Sequence, residues 1–434
     1  MAANLTESSA ASVIEPTTTV DQRAFVRSQE LHQPGSSLKI AHVTNYQVPG
    51  YGYDEIQLSL EQQRMGHEVT ILTSNYLHPN GSYAVLRRRF PNRRVAPSDE
   101  TVDGVRVRRL RGHEVARRVW IVGLERALME LAPDVIHSHN LLQFHSARIA
   151  LLRAAGLCKA AVVIDDHMHF GFVRKTVLGR AFYSSYRAVG QPILAHYVDR
   201  FCAIADDTRE YLRTDCAVKG DINVVPLGVT SGALEPHLDL RQQGRERLGV
   251  APSDLVVLYV GKVIPPKGVH LLIEAAKTLS TEGVRVSVVV VGDSDESYEQ
   301  RLMELAHGAS GLDLHVLPSV EHDLLPAWYA AADVGVWPRQ ESKAVFEAMG
   351  AGLPVVVSSE SGLADIVMPD RGLTYEAADV QSLTARLREL TDTELRKRLG
   401  SAGQDFARRE LSWTHSAQRY VAIYREAIAA RTRR

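Results

Sequence analysis

From Leu38 onward, short apolar runs alternate along this chain with longer segments whose apolar positions recur at helical spacing. Leu38–Val43 reads as a strand, and a loop from Asn45 to Tyr53 leads into a helical segment over Asp54–Met65. Gly66 stops that helix and Glu68–Thr73 follows as a second strand, which makes a β-α-β unit. Val105–Leu110, Val135–His137, Ala161–Ile164, Phe201–Ile204 and Ile222–Val225 continue the strand series. After a polar stretch from Leu234 to Gly249 the pattern restarts. Leu255–Val260, Val286–Val291, Leu314–Leu317, Val334–Val336 and Val355–Val357 are the strands, with helices such as Val269–Leu279 and Tyr298–Ala306 between them. Strands made largely of valine have no polar face to give to water, so burial on both sides is expected. The alternation predicts an α/β fold of two doubly wound, Rossmann-like domains, each a parallel sheet covered by helices, facing across a cleft.

Size and composition suit that architecture. At 434 residues the chain exceeds an ordinary single domain, and 45% hydrophobic with 23% charged residues is a globular balance. The net charge of −1 exerts no overall pull toward nucleic acid. Cys158, Cys202 and Cys216 stand far apart with no Cys-x-x-Cys pair, which speaks against a zinc site or disulfide framework and fits a reducing cytoplasm. No apolar run reaches the roughly 20 residues that span a bilayer. Residues 1–37, rich in Ser, Thr, Ala and Gln and lacking an apolar signal core, are expected to be a disordered extension.

The most informative stretch runs from Trp337 to Val357: a loop, a short helix, a glycine-broken turn and a buried strand. A helix entered from a loop at the carboxyl edge of a sheet offers unpaired N–H groups to an anion. The amides of Lys343, Ala344 and Val345, with Ser342 beside them, are the expected donors, and Glu347 can accept hydrogen bonds from sugar hydroxyls. A phosphate next to a sugar is what a nucleotide-sugar presents. Upstream, Gly261-Lys262-Val263-Ile264-Pro265-Pro266-Lys267-Gly268 follows a buried strand and opens a helix. Lys262 and Lys267 there can hold a diphosphate and stabilise charge growing on it.

Glu347-Ala348-Met349-Gly350-Ala351-Gly352-Leu353-Pro354-Val355 resembles the donor-site signature of retaining GT-B glycosyltransferases of the family-4 type. Gly66-His67-Glu68-Val69, Pro133-Asp134-Val135-Ile136-His137-Ser138-His139, the linker-like Pro226-Leu227-Gly228-Val229 and the tail around Leu411-Ser412-Trp413 resemble other parts of that family in matching order. The family carries a first glutamate eight positions before the second. Here that position is Arg339, and the nearest upstream acid is Glu341, so the entrance loop reads as shortened. The family's usual arginine is replaced by Lys262, which keeps the charge without the bidentate geometry.

The resemblance implies a GT-B division. Residues 38–230 would form the acceptor-side domain, joined by a C-terminal helix over 415–434, and residues 231–414 the nucleotide-sugar donor domain. It implies sugar transfer to an acceptor hydroxyl with retention, by same-face displacement, without a metal or other cofactor. His167 of Asp165-Asp166-His167-Met168-His169 takes the role of the histidine lining the cleft, with His169 as neighbour, and His137 and His139, one strand back, are expected behind the site or in the core rather than in catalysis. Alternating Asp and His also has the character of metal ligands, the rival reading of that segment. Gly52, in Gly50-Tyr51-Gly52-Tyr53-Asp54, permits close approach of a ligand. Glu341 is expected at a donor sugar hydroxyl.

The arginines from Arg87 to Arg118 have few acids among them. Such a run is ordinarily a solvated face; it can also take a phosphorylated acceptor or anionic lipid headgroups, which would place the protein at the inner face of a membrane. The acceptor class left open is a small molecule, a lipid or a glycan. Two other functions stay open: a nucleotide-sugar epimerase of the same fold, which would turn over donor without acceptor, and a non-catalytic GT-B module, which would bind donor without transfer. The pattern speaks against a dinucleotide dehydrogenase, since no Gly-x-Gly-x-x-Gly follows the first strand with an acid about 20 residues on.

Overall fold

A computed structural model describes residues 36–50, 54–79, 84–167, 177–229, 238–340, 342–367 and 370–432. The expected disordered extension, Gly52, His169 and Glu341 therefore fall outside the described residues or, for the extension, almost wholly so.

The first half is built on β1 (Lys39–Val43), β2 (Glu68–Ser74), β3 (Ser98–Val102) and β4 (Val105–Leu110), a ribbon of β5 (Gly112–Val115) and β6 (Arg118–Ile121), then β7 (Val135–His139), β8 (Ala161–Asp166), β9 (Arg200–Ala203) and β10 (Ile222–Val224). Apart from the ribbon these form one sheet in the order β10-β9-β8-β7-β1-β2-β4-β3. The second half carries β11 (Leu255–Val260), β12 (Val286–Val291), β13 (Leu312–Leu317), β14 (Val334–Trp337), β15 (Val355–Ser358) and β16 (Gly372–Tyr375), in the order β13-β12-β11-β14-β15-β16. Every residue of β11 and β12 is buried, as their apolar composition requires.

In both sheets the strand order reverses beside the first strand of the half. β1 has β2 on one side and β7 on the other, and β11 has β12 on one side and β14 on the other. Loops diverge at such points and leave a crevice at the carboxyl ends of the strands, where α/β proteins take their ligands. The terminal helix Trp413–Thr432 returns to the first sheet. Its Trp413, Ala417, Tyr420, Val421 and Tyr424 join one buried cluster with Ile40, Val135, Ala161, Val163 and Cys202.

Not all of the first sheet is parallel, as the sequence pattern had implied. β3 runs antiparallel to β4 at the sheet edge, and β5 pairs antiparallel with β6. β3 is the polar segment Ser-Asp-Glu-Thr-Val, mostly exposed, so no apolar run announces it. Its acids meet the arginines of β4: Asp99 accepts from Arg106 at 3.0 and 2.9 Å, and Glu100 accepts from Arg109 at 3.1 Å.

Candidate active site

One group of the expected site residues is assembled at the β11/β14 switch point. Trp337 closes β14 and donates its indole N–H to the Val260 carbonyl at the end of β11, 3.0 Å away, which pins the two strand ends together. The loops that follow touch twice. A Cβ at Gly261 would stand 3.7 Å from Ser342 Oγ, and the stem of Arg339 packs on Gly268, its Cγ 2.6 Å from where a Cβ would be. Lys262 is exposed in the first of these loops, and Lys267 ends the short 3-10 turn Pro265–Lys267. The loop can lie this close to β12 only because residue 292 is glycine: a Cβ there would fall 1.7 Å from the Gly261 carbonyl oxygen.

The helix after β14 is short, Ala344–Gly350, and its first turn is already engaged. Ser342 Oγ accepts from the Ala344 amide at 3.4 Å, and the Ser342 carbonyl accepts from the Val345 amide at 3.0 Å. Two of the amides expected to meet an anion thus already have partners in Ser342, one through its hydroxyl and one through its carbonyl. Glu347 is buried. His322 Nε2 lies 3.0 Å from one carboxylate oxygen and the Tyr329 hydroxyl donates to the other at 2.8 Å. Burial works to raise the Glu347 pKa, but His322, Lys343 and Tyr329 outweigh it and hold the group below its ordinary value, so it stays ionised.

A second group lies at the ends of β1, β7 and β8, and strand alternation sets it. Asp165 and His167, two positions apart, project the same way, and Asp165 registers beside His139 of β7. One oxygen of Asp165 lies 3.2 Å from His137 Nε2, 2.9 Å from His139 Nδ1 and 3.3 Å from His167 Nε2. His139 Nε2 continues to His42 Nδ1 at 2.9 Å, and His42 Nε2 to Gln62 Oε1 at 2.8 Å. The Gln62 amide N–H donates to Tyr424 OH at 3.2 Å, and that hydroxyl reaches His137 Nδ1 at 2.7 Å.

The protons are fixed by this chain. Gln62 donates to Tyr424 through its nitrogen, so its oxygen accepts from His42 Nε2–H, and His42 Nδ1 must then accept from His139. His139 therefore carries two protons, one of them given to Asp165. Burial alone would discharge it, but the Asp165 carboxylate outweighs burial and raises its pKa. His42, with burial and two neighbouring imidazoles against it, is held well below the ordinary value and stays neutral. Burial likewise opposes charge on His167, yet Asp165, Asp54 and Glu55 raise it to about 10. By position His42, His137 and His139, or His139, Asp165 and His167, could each hold a metal ion, their ligand atoms lying within 4.8 Å of one another. In this structure these atoms are joined chiefly to one another and to Gln62 and Tyr424.

The two sides meet. Lys343, from the entrance of the Ala344–Gly350 helix, pairs with Asp54 at the start of the Asp54–Arg64 helix, and the other Asp54 oxygen lies 3.8 Å from His167 Nδ1. Arg89 crosses to Glu321 at 2.8 Å, next to His322.

Two family models match this chain, the Glycosyl transferase 4-like domain over residues 57–228 and Glycosyl transferases group 1 over residues 241–406. The chain belongs to the glycosyltransferases of group 1. This glycosyltransferase is 27% identical to D-inositol 3-phosphate glycosyltransferase of Kineococcus radiotolerans, over 94% of its own length and 95% of that protein. Its GT-B fold is shared with sucrose-phosphate synthase of Thermosynechococcus elongatus at a TM-score of 0.65 and 21% identity, covering 90% of this chain and 99% of that one. Anabaena Alr3699/HepE, solved in complex with UDP-glucose, has it at a TM-score of 0.60 and 16% identity, covering 91% of this chain and 100% of that one.

Of the residues expected at its site, the structure brings Lys262, Ser342, Lys343, Ala344, Val345 and Glu347 to one switch point of this glycosyltransferase, with Lys267 on the turn that follows Lys262, and sets His167 at the other. Sequence reasoning missed Asp54, His322, Tyr329 and the terminal-helix residues Tyr424 and Trp413. Asp54 left a faint signal, an acid opening a helix beside the first crossover loop. His322 and Tyr329 left none, since they reach Glu347 from 25 and 18 residues away. The arginine run is largely tied into the first half: besides the β3–β4 pairs, Arg93 pairs with Glu114, Arg108 meets Glu130 at 2.8 Å, and Arg118 donates to the Leu142 carbonyl at 2.7 Å. Among the described residues, no helix is long and apolar enough to cross a membrane.

Proposed function

We propose that this enzyme moves a hexosyl group from a nucleoside diphosphate sugar to an acceptor hydroxyl with retention, and that it does so without a metal ion or other cofactor. The observation that carries this reading is the contact between the Gly261–Lys262 loop and the Ser342–Lys343 loop at one switch point, with His167 opposite. Cations from two loops beside a buried carboxylate suit a diphosphate joined to a sugar. The complex of the same fold in Anabaena Alr3699/HepE contains UDP-glucose, a donor of that class.

In this scheme Lys262 and Lys267 stabilise the charge that develops on the leaving diphosphate. Glu347, ionised and held by His322 and Tyr329, retains lone pairs for sugar hydroxyls. His167, on the acceptor side, stays protonated and donates toward the reacting sugar. Leaving phosphate and acceptor share one face, and closure of the cleft limits hydrolysis of the donor.

A thermal-shift panel of UDP-, GDP- and ADP-sugars tests the donor class, because a bound donor raises stability by mass action. One class should shift the transition, Lys262→Ala and Glu347→Ala should reduce the shift, and the product anomer should match the donor. Failure of all three classes, with both variants fully active, would refute the assignment. Donor turnover without acceptor would favour an epimerase instead, and activity lost to a chelator would end the metal-free reading. Contact with an anionic membrane is a second partner reading, carried by the exposed Arg88, Arg111 and Arg117. Vesicle co-sedimentation unchanged by their replacement with alanine would count against it.

A further inference from the structure

Lys343 stands where the two halves and the terminal helix converge. Its ammonium pairs with Asp54 from the first half and lies 5.1 Å from the centre of the Trp413 ring of the terminal helix. Its chain neighbour Ser342 lies beside Gly261, so the backbone that carries Lys343 adjoins the Lys262 loop. Neither partner is sealed off: the side chains of Lys343 and Asp54 are 32% and 21% exposed. Asp54 in turn lies between this ammonium and His167.

We propose that Lys343 is a donor-binding cation, and that in the empty cleft Asp54 occupies it as a stand-in for the donor diphosphate. This rests on the donor reading above. Carboxylate and phosphate are both oxyanions that pair with an ammonium, and a lysine accepts either because it acts as a point charge without a fixed bonding fork. The diphosphate brings more charge than one carboxylate and displaces it from Lys343. Asp54 then remains beside His167, on the acceptor side, while the Trp413 ring stays beside the Lys343 ammonium. Free enzyme with Lys343 engaged by Asp54 is not competent for donor, so the apparent affinity is reduced by the fraction held in that pair.

The two partners therefore have opposite effects on nucleotide binding, which a purely structural ion pair would not show. Titration calorimetry of the full chain with UDP, GDP and ADP reads this directly. Asp54→Asn should bind the preferred nucleotide roughly three- to fivefold more tightly, the range a partly exposed ion pair supports. Lys343→Met should bind it several-fold more weakly, Lys343→Arg should stay near wild type, and the Asp54→Asn/Lys343→Met pair should bind no tighter than Lys343→Met alone. Asp54→Ser serves in the same way if the asparagine variant does not fold. Equal weakening by both single changes, or no change in the Asp54 variants, overturns the proposal and leaves a structural tie. A wild-type chain that binds none of the three nucleotides removes the donor reading itself, a different result from binding that is indifferent to Asp54.

Discussion

Asp165 gathers three imidazoles about one carboxylate oxygen, at 3.2 Å from His137, 2.9 Å from His139 and 3.3 Å from His167. Three neutral rings would not offset the cost of burying that charge, so part of the cluster must be cationic. His139 and His167 are the cations, and His137, with burial first among its causes, is pushed down to about 4 and stays neutral. The consequence for stability has a definite sign. The folded-state pKa of His167 is about 10, above the ordinary 6.5, so folding takes up a proton there. Its contribution is complete below about pH 6.5, declines as pH rises, and is gone above about 10. Urea denaturation across that window should show the gap between wild type and His167→Gln shrinking steadily. A gap that stays constant from neutral to alkaline pH would show that His167 does not hold its proton through Asp165 and Asp54.

The decisive element is the pair of strand ends that β11 and β12 present, where the carbonyl of Gly261 lies on the backbone of Gly292. Any side chain at 292 pushes the Gly261 carbonyl, and the Lys262 loop with it, off its place beside β12. Gly292→Ala should weaken nucleotide binding by about tenfold or more and cost roughly 1–3 kcal/mol of stability, as overpacking does. Calorimetry and urea denaturation measure the two effects; stability lost with affinity unchanged would place the donor elsewhere. At this scale the chain was largely legible. Valine-rich runs gave β11, β12, β14 and β15 their places, and the glycine–lysine and glycine–proline patterns marked the loops around them. The ribbon β5–β6 and the edge strand β3 were not legible, because short polar or two-stranded segments leave no apolar period to read. At the helix entrance, where the sequence suggests free amides, Ala344 bonds the Ser342 hydroxyl and Val345 the Ser342 carbonyl.

Across the whole molecule, Arg89 to Glu321 and Lys343 to Asp54 tie the halves on the cleft side. The Arg89 and Glu321 side chains are 36% and 40% exposed, so that pair is worth at most about 1 kcal/mol and weakens with salt. A contribution of that size still biases an equilibrium between closed and open clefts. Arg89→Glu should raise the radius of gyration measured by small-angle scattering at low salt, and Arg89→Glu/Glu321→Arg should restore it. Identical scattering from all three proteins would mean that packing along the terminal helix alone sets the angle between the halves. That helix is a strong tie in its own right: a Cβ on Gly228 of the linker would fall 2.4 Å from the Trp413 ring, so linker and helix interlock.

By itself the sequence determined the two-sheet architecture and the loops that carry the expected site residues, because strand burial, glycine turns and loop cations are encoded within a few neighbouring residues. Tertiary structure alone decided the charge states and the pairings. Asp54 meets Lys343 across 289 positions of chain, and Tyr424 meets His137 across 287. Proton occupancy depends on which groups share a buried volume, and folding brings those groups together from parts of the chain that carry no local mark of one another.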